Sequence, residues 1–183
     1  MKSLACSLCL VLSTPLVLGQ GRILWNEATD GFLSRTYVSP TFLGALSFGT
    51  NSIIGSTEAT PHDGNWGLDD DYFTFQISAG SQVSGAYLII NQQVLAWLGT
   101  ADFNNEIGHR TISTTQDLLP FFGGNSLLAG NYGMFLSDRD LQDFPTSVGY
   151  RLDLVVTAVP EPGTWALLAL GSALFWSFTR RRP

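Results

Sequence analysis

Cysteine is absent beyond position 9, lysine beyond position 2, and histidine occurs only at positions 62 and 109. Without a thiol, the body of the chain can form no disulfide framework, thiolate nucleophile or cysteine metal site. Basic side chains are nearly as scarce. Arg22, Arg35, Arg110, Arg139 and Arg151 face all fifteen carboxylates between Gln20 and Gly163, an excess of ten negative charges. Binding to phosphate relies on clustered Lys and Arg, so nucleic acid does not fit as a partner. Cations or neutral sugars suit such a surface better. The familiar catalytic signatures are missing too: there is no Gly-x-Ser-x-Gly elbow, no His-Glu-x-x-His helix and no P-loop. His62, within Pro61-His62-Asp63-Gly64-Asn65, reads as an exposed turn residue, and His109, beside Arg110, as another exposed loop residue.

The two ends carry what the middle lacks, long apolar runs. Met1-Lys2 is a minimal positive start, Leu4 to Leu18 is an interrupted apolar region, and Val17-Leu18-Gly19 precedes a cut after Gly19. Residues 1–19 are thus expected to be a secretory signal peptide with Gln20 as the new N-terminus. Cys6 and Cys9 fall inside it, and Cys6 lies too near the start to follow a full hydrophobic region as a lipidation site. At the other end, Pro160 and Pro162 fix φ and bias their predecessors away from helix, so Val159 to Gly163 is expected to be extended and solvated. Thr164 to Thr179 has no charge and would make a helix of about 24 Å, slightly short of a ~30 Å hydrocarbon core. Trp165 and Trp176 lie near its ends, and Arg180, Arg181 and Arg182 form a basic stop on the cytoplasmic side. A buried core helix is the alternative, but such helices are rarely apolar on every face and closed by three arginines.

The tail, residues 159–183, resembles the PEP-CTERM sorting signal of Gram-negative and related bacteria. Pro160-Glu161-Pro162, the apolar helix and the Arg-rich end occur in the order of that pattern. The resemblance implies recognition and cleavage by an exosortase, a membrane cysteine protease or transpeptidase. It also implies an inner-membrane-anchored precursor that proceeds to the cell envelope or an extracellular polysaccharide matrix.

Residues 20–158 read as one all-β domain, an antiparallel β-sandwich of jelly-roll type. In Tyr72 to Ile77, Phe73, Phe75 and Ile77 point one way and Thr74 and Gln76 the other. After Ala79-Gly80 comes a strand from Val83 to Ile90, then a turn at Asn91-Gln92-Gln93 and a strand from Val94 to Leu98. Tyr150, Leu152, Leu154 and Val156 alternate with Arg151, Asp153 and Val155, and Asn131 to Leu136 is expected to be the hairpin partner of that strand. Phe42 to Phe48 and Ser52 to Ser56 flank a turn at Gly49-Thr50-Asn51. The only helical candidate in the body is a turn around Thr115 to Leu119.

Leu43 to Leu46, Asn51 to Thr57, Asp69 to Phe75 with Ala79-Gly80, and the pair Leu128 to Tyr132 and Gly149 to Leu152 resemble the bacterial pre-peptidase C-terminal-like domain. Ala101 to Gly124 has no counterpart in that pattern. Such β-sandwiches are usually accessory modules, so the resemblance implies a non-catalytic role.

Two features of the body remain as site candidates. Asp69, Asp70 and Asp71 precede the aromatic strand, and Asp138, Asp140 and Asp143 crowd a later loop. Ca²⁺ takes six to eight oxygens, which adjacent acidic loops can supply, although EF-hand spacing is absent and solvated strand-end aspartates give the same pattern. The tryptophans of the body are Trp25, Trp66 and Trp97. Trp66 lies between Asn65 and Gly67 in a polar stretch, where it could stack on a sugar, whereas Trp97 sits in an apolar strand and is expected in the core. The expectation is a secreted, non-enzymatic envelope or matrix protein associated with exopolysaccharide and without a required cofactor. The competing readings are a Ca²⁺-dependent adhesion or carbohydrate-binding module and a carboxylate-dependent glycoside hydrolase, the latter needing a fixed carboxylate separation that sequence does not show.

Overall fold

The computed structural model describes residues 21–62, 65–68, 70–138, 147–159 and 170–172. Among the described residues eleven strands run in chain order: β1 (Arg22–Asn26), β2 (Thr41–Ala45), β3 (Gly49–His62), β4 (Asn65–Leu68), β5 (Asp71–Ile77), β6 (Ser81–Ile90), β7 (Val94–Thr100), β8 (Glu106–Ile112), β9 (Gln116–Asp117), β10 (Gly130–Ser137) and β11 (Ser147–Ala158). One helical turn, α1 (Glu27–Asp30), follows β1, and a 3₁₀ turn covers Leu119–Phe121. One sheet has the order β1-β3-β11-β6-β9 with β4 added to β3; the other has the order β2-β5-β10-β7-β8.

The alternation of apolar residues builds the core between the two sheets. Phe73, Phe75 and Ile77 of β5, Met134 and Leu136 of β10, and Val94, Ala96 and Leu98 of β7 come from the five-stranded sheet. Val148, Tyr150, Leu152, Leu154 and Val156 of β11 and Val83, Ala86 and Leu88 of β6 come from the other. Strand β11 shows strict burial of every second residue from Val148 to Val156, as its sequence predicts. In β6 the buried parity changes between Val83 and Ala86, where a bulge opposite Val155 and Val156 inserts one residue. The extra residue returns Leu88 to the core face after Gly85.

Several expectations need correction. The sheets are mixed, since β1 pairs with β3 and β2 with β5 in parallel; a wholly antiparallel sandwich or jelly roll is not what forms. Strands β10 and β11 are not a hairpin. Each is central in a different sheet, β10 between β5 and β7 and β11 between β3 and β6. Both present an apolar face to the same core, and sequence alternation does not tell lateral pairing from facing across it. Gly49-Thr50-Asn51 belongs to β3 rather than a turn. The buried Asn51 side chain instead reaches back to close the preceding connection, accepting from Ser47 N at 3.0 Å and donating to Ser47 O at 2.7 Å. The expected turn at Thr115 to Leu119 is split between β9 and the 3₁₀ turn. Strand β8 fills part of the unassigned Ala101 to Gly124 segment. It is an edge strand with only Ile112 buried, so it lacks alternation.

At the C-terminal end the body stops abruptly. Ala158 pairs with Ser81, and Val159 donates its N–H to Gly80 O at 2.8 Å. Val159 is therefore tied to the sandwich rather than fully solvated. Among the described residues no helix is long and apolar enough to cross a membrane. The expected span at 164–179 lies outside them except for 170–172, which are helical. The signal peptide, Pro160, Glu161, Pro162 and Arg180 to Arg182 also lie outside the described residues.

Candidate ligand cleft on the five-stranded sheet

The residues of β5, β7 and β10 that do not enter the core form the outer face of their sheet. Cross-strand register places Tyr72 opposite Phe135, Phe135 opposite Trp97, and Trp97 opposite His109. Four neighbouring strands thus contribute one row of rings, the arrangement in which cross-strand side chains contact each other directly. Tyr72 and Phe135 lie 5.1 Å apart between centroids, and Trp97 stacks on Phe135 at 5.5 Å and 17°.

The next row of the sheet is nearly bare. Gly133 pairs with Gly99 and with Thr74. Into that gap the β7–β8 connection drops Phe103, which stacks on Trp97 at 5.4 Å and meets Tyr72 edge-on at 5.6 Å. A Cβ on Gly133 would lie 2.9 Å from the Phe103 ring and 2.8 Å from Thr100 O. Glycine is thus required here by close approach. Phe103 has φ of 56°, the one positive value at a non-glycine among the described residues. For a bulky side chain that conformation costs about 1–3 kcal/mol and persists only where surrounding structure imposes it. The turn around it does so. Phe103 N donates to Thr100 O at 2.8 Å, Thr100 N to Asn105 O at 2.9 Å, and Asn104 Nδ2 to Asp102 Oδ2 at 2.8 Å. The Thr100 hydroxyl and the Asn104 amide hold the Asp102 carboxyl below its ordinary range.

Tyr37 completes the lining from the loop before β2. That loop is fixed by Tyr72 N donating to Ser34 O at 2.7 Å and Ser34 N donating to Thr41 Oγ1 at 2.9 Å. Tyr37, Tyr72, Trp97, Phe103 and Phe135 together line an open cleft of about 260 Å³. The polar tips of two of these rings engage carboxylates. Tyr72 OH donates to Asp70 Oδ2 at 3.2 Å, and Trp97 Nε1 donates to Glu106 Oε2 at 3.2 Å. Glu106 Oε1 in turn lies 2.6 Å from His109 Nδ1.

Hydrogen bonding from the His109 imidazole, with a smaller contribution from the Trp97 indole, lowers the Glu106 carboxyl pKa. The folded state therefore favours the ionised form. This contribution is present above the unfolded-state pKa and is lost as pH falls through the depressed folded value. We expect Trp97 emission to change on the acid side of the ordinary glutamate range, and Glu106→Gln to abolish that change. An unaltered acid transition in Glu106→Gln would show that another group controls it.

The structure relocates several sequence candidates. Trp97 is not a core residue: Val94, Ala96 and Leu98 take the core, and Trp97 points the other way into the cleft. His109 is on strand β8, not in a loop. Trp66 and His62 are in strands β4 and β3, where Pro61 pairs with Trp66 and His62 with Asn65; their side chains lie outside the described residues. Asp70, Asp71 and Asp138 are all buried. Asp71 Oδ2 accepts from Tyr150 OH at 2.7 Å, which makes it a polar tie between the sheets. Asp140, Asp143 and the Asp69 side chain lie outside the described residues, and among those described no group of three His, Cys, Asp or Glu could hold a metal ion. The sequence does not by itself mark these residues as a cleft. Their signal is parity, because Trp97 and Phe135 are out of phase with the buried residues of their strands.

The PEP-CTERM protein-sorting motif family matches residues 158–182. Among solved structures, the chain is similar to the Aeromonas hydrophila PliG crystal structure, a periplasmic lysozyme inhibitor of g-type lysozyme. That match has 13% identity and a TM-score of 0.39, and covers 64% of this chain and 96% of that one. A likeness at that level carries no functional argument. No curated protein matches the chain in sequence. At residues 158–182 the chain thus carries a PEP-CTERM protein-sorting motif, which implies an exported protein sorted by an exosortase.

Proposed function

We propose that this is a non-enzymatic binding protein of the cell envelope or extracellular matrix, and that its ligand site is the aromatic cleft on the five-stranded sheet. The observation that carries the reading is the outward row of Tyr72, Phe135 and Trp97, roofed by the strained Phe103. Large apolar rings on the solvent side of a sheet stabilise the core little, and a concave aromatic site is the common form of a small-ligand pocket. The sorting motif supports export and exosortase sorting; the setting proposed on that basis is a matrix rich in exopolysaccharide, reached through an inner-membrane-anchored precursor. The cleft would there hold one group carried by an envelope or matrix component.

Trp97→Ala in the native host tests this. Its backbone lies in a central strand but its ring lies outside the core, so the fold should survive while retention in the matrix or envelope fraction drops severalfold. In the same samples, mass spectrometry of the mature C-terminus should find the residues beyond the Pro160-Glu161-Pro162 motif removed. Unchanged retention of a folded Trp97→Ala protein would sink the cleft as the binding site. A terminus still ending in Pro183 would sink processing.

A further inference from the structure

Among the described residues, each one lining the cleft contributes an aromatic ring. Tyr72, Phe135, Trp97 and Phe103 close a circuit of contacts, with successive centroids 5.1, 5.5, 5.4 and 5.6 Å apart. Tyr37 extends the circuit from Tyr72 at 6.3 Å. A sugar requires donors and acceptors around its hydroxyls, and an anion requires N–H groups. Here the Trp97 N–H and the Tyr72 hydroxyl are already engaged by carboxylates. Beside the Tyr37 hydroxyl, what the lining offers is ring face, which carries the negative part of the aromatic quadrupole. Glu106 adds negative charge at the tip of the Trp97 ring, and Asp102 adjoins Phe103. Arg35 stands over Phe32 and Arg110 over Phe121, two rings outside the cleft lining.

We propose that the cleft binds the methylated ammonium head of an organic cation, a trimethylammonium group being the best fit. This rests on the cleft being the ligand site and specifies what it takes. A primary ammonium carries three N–H donors that need acceptors, for which the ring faces supply none and the Tyr37 hydroxyl only one. Methylation removes those donors and clothes the charge in apolar surface, matching a wall of rings backed by carboxylates.

The test titrates the full exported chain, purified in mild detergent, while following tryptophan emission. The probes are tetramethylammonium, choline, phosphocholine and the neutral tert-butyl analogue of choline. Both cations should bind saturably, with the neutral analogue at least about tenfold weaker. Trp97→Leu, which keeps apolar bulk but removes the indole face, should weaken choline by about tenfold with little change in melting temperature. Phosphocholine separates two sources of the same group: binding comparable to choline assigns a headgroup, and exclusion by the acidic surround assigns a free cation. Equal binding of the neutral analogue, or no response to either cation, overturns the proposal. Loss of matrix retention in Trp97→Leu without cation binding would overturn it while leaving the cleft as the site of a different ligand. Cation binding with unchanged retention would keep it and remove the matrix role.

Discussion

Phe73→Ala should destabilise the domain by about 3–5 kcal/mol, the largest effect expected from a single truncation. Phe73 is 0% exposed, lies in the middle of β5 and pairs across the sheet with Met134. Its removal loses the transfer free energy of a benzyl group and leaves a cavity between two sheets held by their other core residues. Collapse into that cavity is limited because β5 is fixed on both sides, by β2 and β10. Domains of this size have about 5–15 kcal/mol of stability in total, so roughly a fifth or more of it would disappear. Urea denaturation should show a lower midpoint with an unchanged slope, and the melting temperature should fall by roughly 10 °C. A loss below about 1 kcal/mol would mean that Phe73 does not occupy the packed centre.

Gly99→Val should do less to the fold and more to the cleft. A Cβ at Gly99 would run into the Trp97 ring and lie 2.5 Å from the Asn105 carbonyl oxygen. The ring can swing aside, but the carbonyl is backbone and belongs to the turn that presents Phe103. Either response opens the Trp97–Phe103 stack. Overpacking of this kind costs about 1–3 kcal/mol, and the stacked geometry should go with it. The measurement pairs near-ultraviolet circular dichroism, for the aromatic coupling, with denaturation for stability. A variant with native aromatic signal and native stability would show that the glycine is not required by this contact. Gly149, beside which a Cβ would meet nothing within 4 Å, is the control position for the same substitution.

The sequence makes β5, β6, β7 and β11 legible for one reason. Each has a run long enough for parity to show, as in Phe73, Phe75 and Ile77 or Leu152, Leu154 and Val156. What it leaves obscure has a common cause too. Parity says which face of a strand is buried but not which strand lies beside it, so β10 and β11 look like a hairpin while they sit across the core from each other. Edge strands such as β8 bury too little to alternate, and a single parallel pairing such as β1 with β3 leaves no local mark. The cleft is missed because Trp97 lies among apolar residues, and hydrophobicity alone assigns it inward. Its phase relative to Ala96 and Leu98 assigns it outward. Turn chemistry misleads at Asn51, where the residue closes the connection from within the following strand.

The bond from Val159 to Gly80 has a mechanical consequence. The sorting motif follows β11 with no slack, so any tension transmitted from the C-terminal segment enters the body along that strand. Strand β11 is paired along ten residues with β3 and along nine with β6. Antiparallel ladder bonds lie perpendicular to the strand, so a pull along β11 loads two rows of them sideways together rather than opening them one at a time. The strand that bears the load belongs to the sheet opposite the cleft. A body held at the surface by its tail could therefore be strained there while the ring geometry of the other sheet stays in register.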